Sequence, residues 1–147
     1  MAKLYYQGHG SFRITADNGK VMYVDPFMGD GYYKPADLVL ITHEHYDHND
    51  LSKITPAKGC EVFRGRDMTD GKRYDSGEKD GFAFRAVPAC NRNHKITECV
   101  GFIIEVDGVK IYAAGDTSAT DYMRSLAAER LDYALLPTDG IYNMDAE

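Results

Sequence analysis

The sequence predicts an α/β domain in which strands dominate and helices pack outside. Two turns, Asp17-Asn18-Gly19 and Asp107-Gly108, each separate a pair of strand-like runs. Residues 37–41 and 132–136 read as short buried strands. Helical spacing is clear only over residues 120–130, with Tyr122, Met123, Leu126 and Ala127 on one side.

Taken in order, residues 11–16 and 20–25 flank the first turn, where Asn and Gly accept positive φ. Residues 26–35 hold two glycines and two prolines and should be a loop. Short strands are expected at 60–64 and 82–87. Between them, 65–81 is polar and glycine-containing, which predicts a surface excursion. The second hairpin joins 99–106 to 109–114. There is no repeat, low-complexity tract or linker, so residues 1–147 read as a single domain, long enough to bury a core.

Composition sets modest bounds. With 17 basic and 23 acidic residues, the formal charge is −6. That argues against a nonspecific nucleic-acid partner, and Lys72-Arg73 is only a short basic pair. Cys60, Cys90 and Cys99 are an odd count without metal-type pairing, which predicts buried free thiols in a reducing cytoplasm. The chain runs from Met1-Ala2-Lys3 straight into Leu4-Tyr5-Tyr6, with no apolar signal region and no run approaching a membrane span. The expected location is therefore cytoplasmic.

The run Thr42-His43-Glu44-His45-Tyr46-Asp47-His48 carries the chemistry. Three of the five histidines and an aspartate fall within six residues. Imidazole and carboxylate are the donors that zinc prefers. The cluster follows the buried strand at 37–41, where a sheet can hold ligands in place. A tetrahedral ion takes about four ligands. His43 and His45 can share one ion, which leaves Asp47 and His48 for a second.

These residues resemble the metallo-β-lactamase superfamily. His43-x-His45-x-Asp47-His48 matches its metal motif. Gly8-His9-Gly10-Ser11-Phe12, Val24-Asp25-Pro26-Phe27 and the strand end Ala114-Gly115-Asp116-Thr117 are similar to further family motifs, in the family's order. Leu135-Leu136-Pro137 and Tyr142-Asn143-Met144 resemble a branch near the ascorbate-phosphate lactonases. The resemblance implies an αββα sandwich of which this chain is the N-terminal two-thirds. It also implies a segment beyond Glu147 carrying a last metal-binding histidine. On that expectation the 147-residue chain is C-terminally short and a second copy covers its open sheet, giving a homo-oligomer.

The third metal position departs from the family pattern. In Val87-Pro88-Ala89-Cys90-Asn91-Arg92-Asn93-His94, the expected histidine is replaced by Asn91, a weaker donor to zinc. His94, three residues on, is the competing candidate. Asp116 is a candidate bridge between two cations, or else the N-cap of the helix that follows. His9, in its glycine-flanked turn, either lines the pocket, orients a metal-bound group or sits in the core. Asp25, before Pro26, is expected to form an Asx-type turn and to support a ligand histidine.

The expected activity is hydrolysis of an ester, lactone, amide or phosphodiester. One or two zinc ions, or manganese, would lower the pKa of water from near 16 to about 7, so hydroxide is available at neutral pH. Asp47 would accept the water's proton or hold the hydroxide in line. The substrate would be a small molecule, with no membrane partner. The competing class is a degenerate, noncatalytic metal-binding or assembly domain.

Overall fold

The computed structural model of the protein describes residues 1–146. Five strands form the first sheet in the order β1-β2-β3-β4-β5: β1 Lys3–Gly8, β2 Ser11–Thr15, β3 Val21–Val24, β4 Ala36–Ile41 and β5 Pro56–Arg64. The second sheet has the order β10-β9-β8-β7-β6: β6 Ser76–Lys79, β7 Phe82–Pro88, β8 Val100–Val106, β9 Val109–Ala113 and β10 Tyr133–Leu135. β3, β4 and β5 run parallel, as do β9 and β10; the other pairs are antiparallel.

Period-two alternation builds the core. Phe12 and Ile14, Met22 and Val24, and Leu38 and Leu40 point from the first sheet onto Phe82, Phe84, Ala86, Phe102, Ile104 and Ile111 of the second. Fully burying one such side chain contributes roughly 1.5–3 kcal/mol. The intervening residues Tyr23, Val39 and Ile41 face outward and are covered by Tyr32, Leu51 and Ile54. On the second sheet's outer face, Ile103 and Tyr112 are covered by Tyr122, Met123 and Leu126. The result is the expected sandwich with a thin outer layer on each side.

Both hairpin turns form as expected. Gly19, Asp107 and Gly108 all have positive φ. Four other expectations are corrected. Residues 120–130 do not make one helix: a 3₁₀ turn at Asp121–Ser125 passes into a single α-turn, α2, at Leu126–Glu129. It stops there because Arg130 is left-handed at φ 53. Its apolar side does face the sheet, except that Ala127 is exposed. β10 is not buried, because it is an edge strand with one neighbour; Tyr133 is 60% and Leu136 47% exposed. Residues 65–81 are no plain surface excursion: α1 at Gly65–Met68 buries Met68 in the core, and β6 adds an edge to the second sheet. Of the cysteines, only Cys99 is buried, while Cys60 and Cys90 are half-buried; all three are free.

The topology brings one set of loops to one edge of the sandwich. The parallel strands β3 and β4 end there, and so do β7, β9 and β10, with the β1–β2 turn alongside. The amide of Val100 donates to the Thr42 carbonyl at 3.0 Å and ties the two sheets together at this edge.

Candidate metal centre

His43, at the end of β4, is buried and reaches the site from the core side. Its Nδ1 lies 2.8 Å from Thr42 Oγ1. That hydroxyl donates to Asp25 Oδ2 at 2.6 Å, so it accepts from His43. The open lone pair of His43 is therefore on Nε2. His48 is fixed the same way: its Nδ1 donates to Asp25 Oδ2 at 2.8 Å. Its Nε2 is a buried nitrogen with no hydrogen-bond partner. His94 donates from Nδ1 to Asn91 Oδ1 at 2.7 Å, which again opens Nε2.

Three imidazoles thus converge with their Nδ1 protons facing away. His94 Nε2 is 3.2 Å from His43 Nε2, and donor atoms of His43, His45 and His94 lie within 4.8 Å of one another. Two lone pairs facing each other at that distance repel unless a cation lies between or beside them. A second group within the same span joins His9, Asp47 and His48. Asp116 stands between the two groups. Its Oδ1 is 3.4 Å from His48 Nε2, and its Oδ2 is 3.4 Å from His94 Nε2 and 3.9 Å from His43 Nε2. Its carboxylate does not cap the following 3₁₀ turn, whose N-cap is Thr120.

The electrostatics agree with this layout. Burial, followed by the His48 charge, pushes His43 down to about 2, so it stays neutral. Burial also pulls on His48, but the Asp25 and Asp116 carboxylates override it and hold His48 up at about 10. Asp116 is held far below the ordinary carboxylate range by His48 and His94, against the opposing effect of its burial. Positive charge is favoured between Asp25 and Asp116, where His48 Nε2 opens. The orphaned nitrogen, the opposed lone pairs and the imidazole–carboxylate donor set all fit a divalent cation.

Of the two candidates for the third donor, His94 joins His43 and His45. Asn91 instead buttresses the loop: its oxygen accepts from His94, and its Nδ2 donates to Asn143 Oδ1 at 2.8 Å. His45 is exposed at the mouth of the site. Asp47 Oδ2 is 3.0 Å from His9 Nε2. His9 lines the pocket and is not a core residue. The Asp25 carboxylate accepts from Thr42 and His48 and forms no Asx-type turn, since the Phe27 amide goes to the Tyr32 hydroxyl instead. Glu44, inside the motif, points away and pairs with Arg64 at 2.8 Å.

Three contributors escaped sequence reasoning. Thr42 orients His43, and its place directly before the motif was the available signal. Asn143 stood only within the family-like run Tyr142-Asn143-Met144, and Asp139 had no signal. Asp139 accepts the amides of Ile141 and Tyr142 at 2.9 and 2.7 Å, which shapes the loop that presents Asn143 to Asn91. The centre opens into a cavity of about 1040 Å³ whose wall includes Tyr6, Phe12, Leu135, Leu136 and Tyr142.

A two-sheet sandwich with a histidine–aspartate centre at one edge defines the metallo-β-lactamase fold class. The chain belongs to that superfamily: the Beta-lactamase superfamily domain matches residues 3–147. It is 34% identical over 170 residues to a UPF0173 metal-dependent hydrolase of Thermococcus onnurineus, an alignment covering 98% of this chain and 75% of the relative. A crystal structure from Parabacteroides distasonis, provisionally described as a metal-dependent hydrolase, superposes with a TM-score of 0.79 at 27% identity, covering 98% of this chain and 78% of that one. A novel metallo hydrolase from Ignicoccus hospitalis gives 0.73 at 29% identity, covering 98% and 73%. Among the described residues, no helix is long and apolar enough to cross a membrane.

Proposed function

We propose that the protein hydrolyses a small anionic ester, lactone or phosphodiester, with His43, His45 and His94 holding one divalent cation and Asp47 and His48 serving a second. Asp116 is shared between the two. The chain is an enzyme of the metallo-β-lactamase superfamily, and metal-dependent hydrolysis is the activity that its relatives' names have in common. The observation that carries the ligand assignment is the convergence of the open Nε2 atoms of His43, His48 and His94, each with its Nδ1 proton already committed. An imidazole-rich first position favours zinc, and the carboxylates of the second tolerate manganese.

When bound, such cations supply Lewis acidity and bring the pKa of water toward about 7. The chain's own residues do the rest. Asp25, through Thr42 and directly, keeps His43 and His48 in the tautomer that donates inward. Asp47 accepts the proton of the attacking water or holds the hydroxide in line. The buried sides of His43 and His48 keep solvent off the back of the centre. The local cations attract a substrate anion despite the net acidic chain. Three free thiols support a reducing, cytoplasmic setting. The exposed β10 edge, with Tyr133 and Leu136, is the surface this reading gives to a second copy.

Elemental analysis of the His43→Ala/His45→Ala double variant tests the centre: its metal content should fall below that of the wild type, and equal content defeats the assignment. Nitrophenyl esters, lactones and phosphodiesters assayed with zinc or manganese test the reaction. Absence of metal-dependent turnover on every member would favour the noncatalytic metal-binding alternative. Light scattering that returns a monodisperse monomer would remove the oligomer from this reading.

A further inference from the structure

We infer that His9 is a positioning residue for the second cation, holding the Asp47 carboxylate beside His48. This rests on the proposal that Asp47 and His48 serve that cation. The β1–β2 connection is unusual: Gly8 has φ 124 and His9 has φ 53, and the strand register shifts between Tyr6 and Gly8. A left-handed non-glycine residue is uncommon and needs surroundings that hold it. Here Tyr6 donates from its hydroxyl to the His9 carbonyl at 2.9 Å. The turned backbone aims the His9 ring over the loop after β4.

Two consecutive turn residues then meet two consecutive loop residues. His9 Nε2 lies 3.0 Å from Asp47 Oδ2, and an ionised carboxylate can only accept, so the proton is on His9. Gly10 lies against His48 so closely that any side chain there would come within 2.6 Å of the ring carbon. The His9 ring also packs edge-on to Phe27, with centroids 5.9 Å apart, and beside His48 at 5.1 Å. With Oδ2 held by His9, Oδ1 is the oxygen that Asp47 would offer to the cation. The ring is 42% exposed, so its burial is not what keeps it there.

The test compares wild type, His9→Ala and His9→Gln by titration with cobalt. Alanine bears the same left-handed backbone and removes only the ring, while the glutamine amide restores a donor near the place of Nε2. Wild type should bind two equivalents. In His9→Ala the second equivalent should weaken 10- to 100-fold, the range for losing a group that orients a metal ligand, with the first unchanged. His9→Gln should recover most of that loss and the wild-type cobalt spectrum. An unchanged second equivalent in His9→Ala overturns the inference. So does a His9→Gln protein as weak as His9→Ala with an altered spectrum, which would make His9 itself a ligand. Wild type binding a single equivalent would sink the two-cation reading, and this inference with it. If alanine at position 9 fails to fold, His9→Asn replaces it: asparagine suits the left-handed backbone but falls short of Asp47, and the same outcomes apply.

Discussion

Asp25 Oδ2 accepts the Nδ1 proton of His48 at 2.8 Å, and through the Thr42 hydroxyl the same oxygen governs His43. Asp25 Oδ1 takes the Thr42 amide at 2.7 Å. One buried carboxylate therefore sets the tautomer of two histidines on neighbouring faces of the centre. It does so from a left-handed backbone at φ 46, which places the carboxylate under the end of β4.

Asp25→Asn should weaken metal binding 10- to 100-fold, because an amide cannot accept at both positions and one donor loses its partner. The unpaired donor is buried, so the metal-free protein should also lose about 1–3 kcal/mol. Calorimetric metal titration together with thermal unfolding checks both. Unchanged affinity would show that the histidines hold their orientation without Asp25.

The metal-free protein should be most stable near pH 6.5. His43 is depressed to about 2 from 6.5, so its contribution is present above 6.5 and is lost as pH falls through the folded value. His48 is raised to about 10, so its contribution is present below 6.5 and is lost as pH rises toward 10. Urea unfolding of chelator-treated protein at a series of pH values should give a dome. A curve that climbs steadily past pH 8 would contradict it.

Gly10→Ala should press on the His48 ring and cost about 1–3 kcal/mol, the range for overpacking. Because that ring cannot retreat from Asp25, metal binding at the second position should fall as well. Denaturant unfolding and metal stoichiometry read the two effects, and wild-type values in both would mean that the turn yields freely.

Asn91→Ala should weaken the first cation 10- to 100-fold, since His94 loses the acceptor that fixes its ring. Asn91→Asp keeps an acceptor and should stay close to wild type. Competition with a colorimetric chelator distinguishes the pair. Equal weakening of both variants would mean that the bond from Asn91 to Asn143, and not the bond to His94, is what counts.

Local chemistry explains what could be read from the sequence. The hairpins were legible because Gly19 in the first turn and Asp107-Gly108 in the second supply positive φ by themselves. The centre of the candidate site was legible because five of its residues, His43, His45, Asp47, His48 and Asp25, sit in tight motifs at strand ends. Whether Asn91 or His94 faces the cluster was not legible. That depends on a bridge within the loop, where each backbone amide meets the other residue's carbonyl, and on Asn143 far along the chain. The exposure of β10 was equally hidden, since an apolar run does not say whether a neighbour covers it. The early end of α2 turned on the left-handed Arg130, which its residue type does not advertise.

The Val100–Thr42 bond has a consequence for how the protein comes apart. It ties the two sheets at the edge that carries the candidate centre, and the proposed donors are divided across that seam: His43, His45, Asp47 and His48 on one side, His94 and Asp116 on the other. An ion gripped from both sides would be a cross-link between segments distant in sequence. Closing such a long loop is entropically costly for the open chain, so the link penalises separation of the sheets more than any local fraying. Loss of the ion should therefore loosen the seam before the strands: hydrogen exchange would quicken first at the amides of Thr42 and Val100, while the interior of β8 stayed protected.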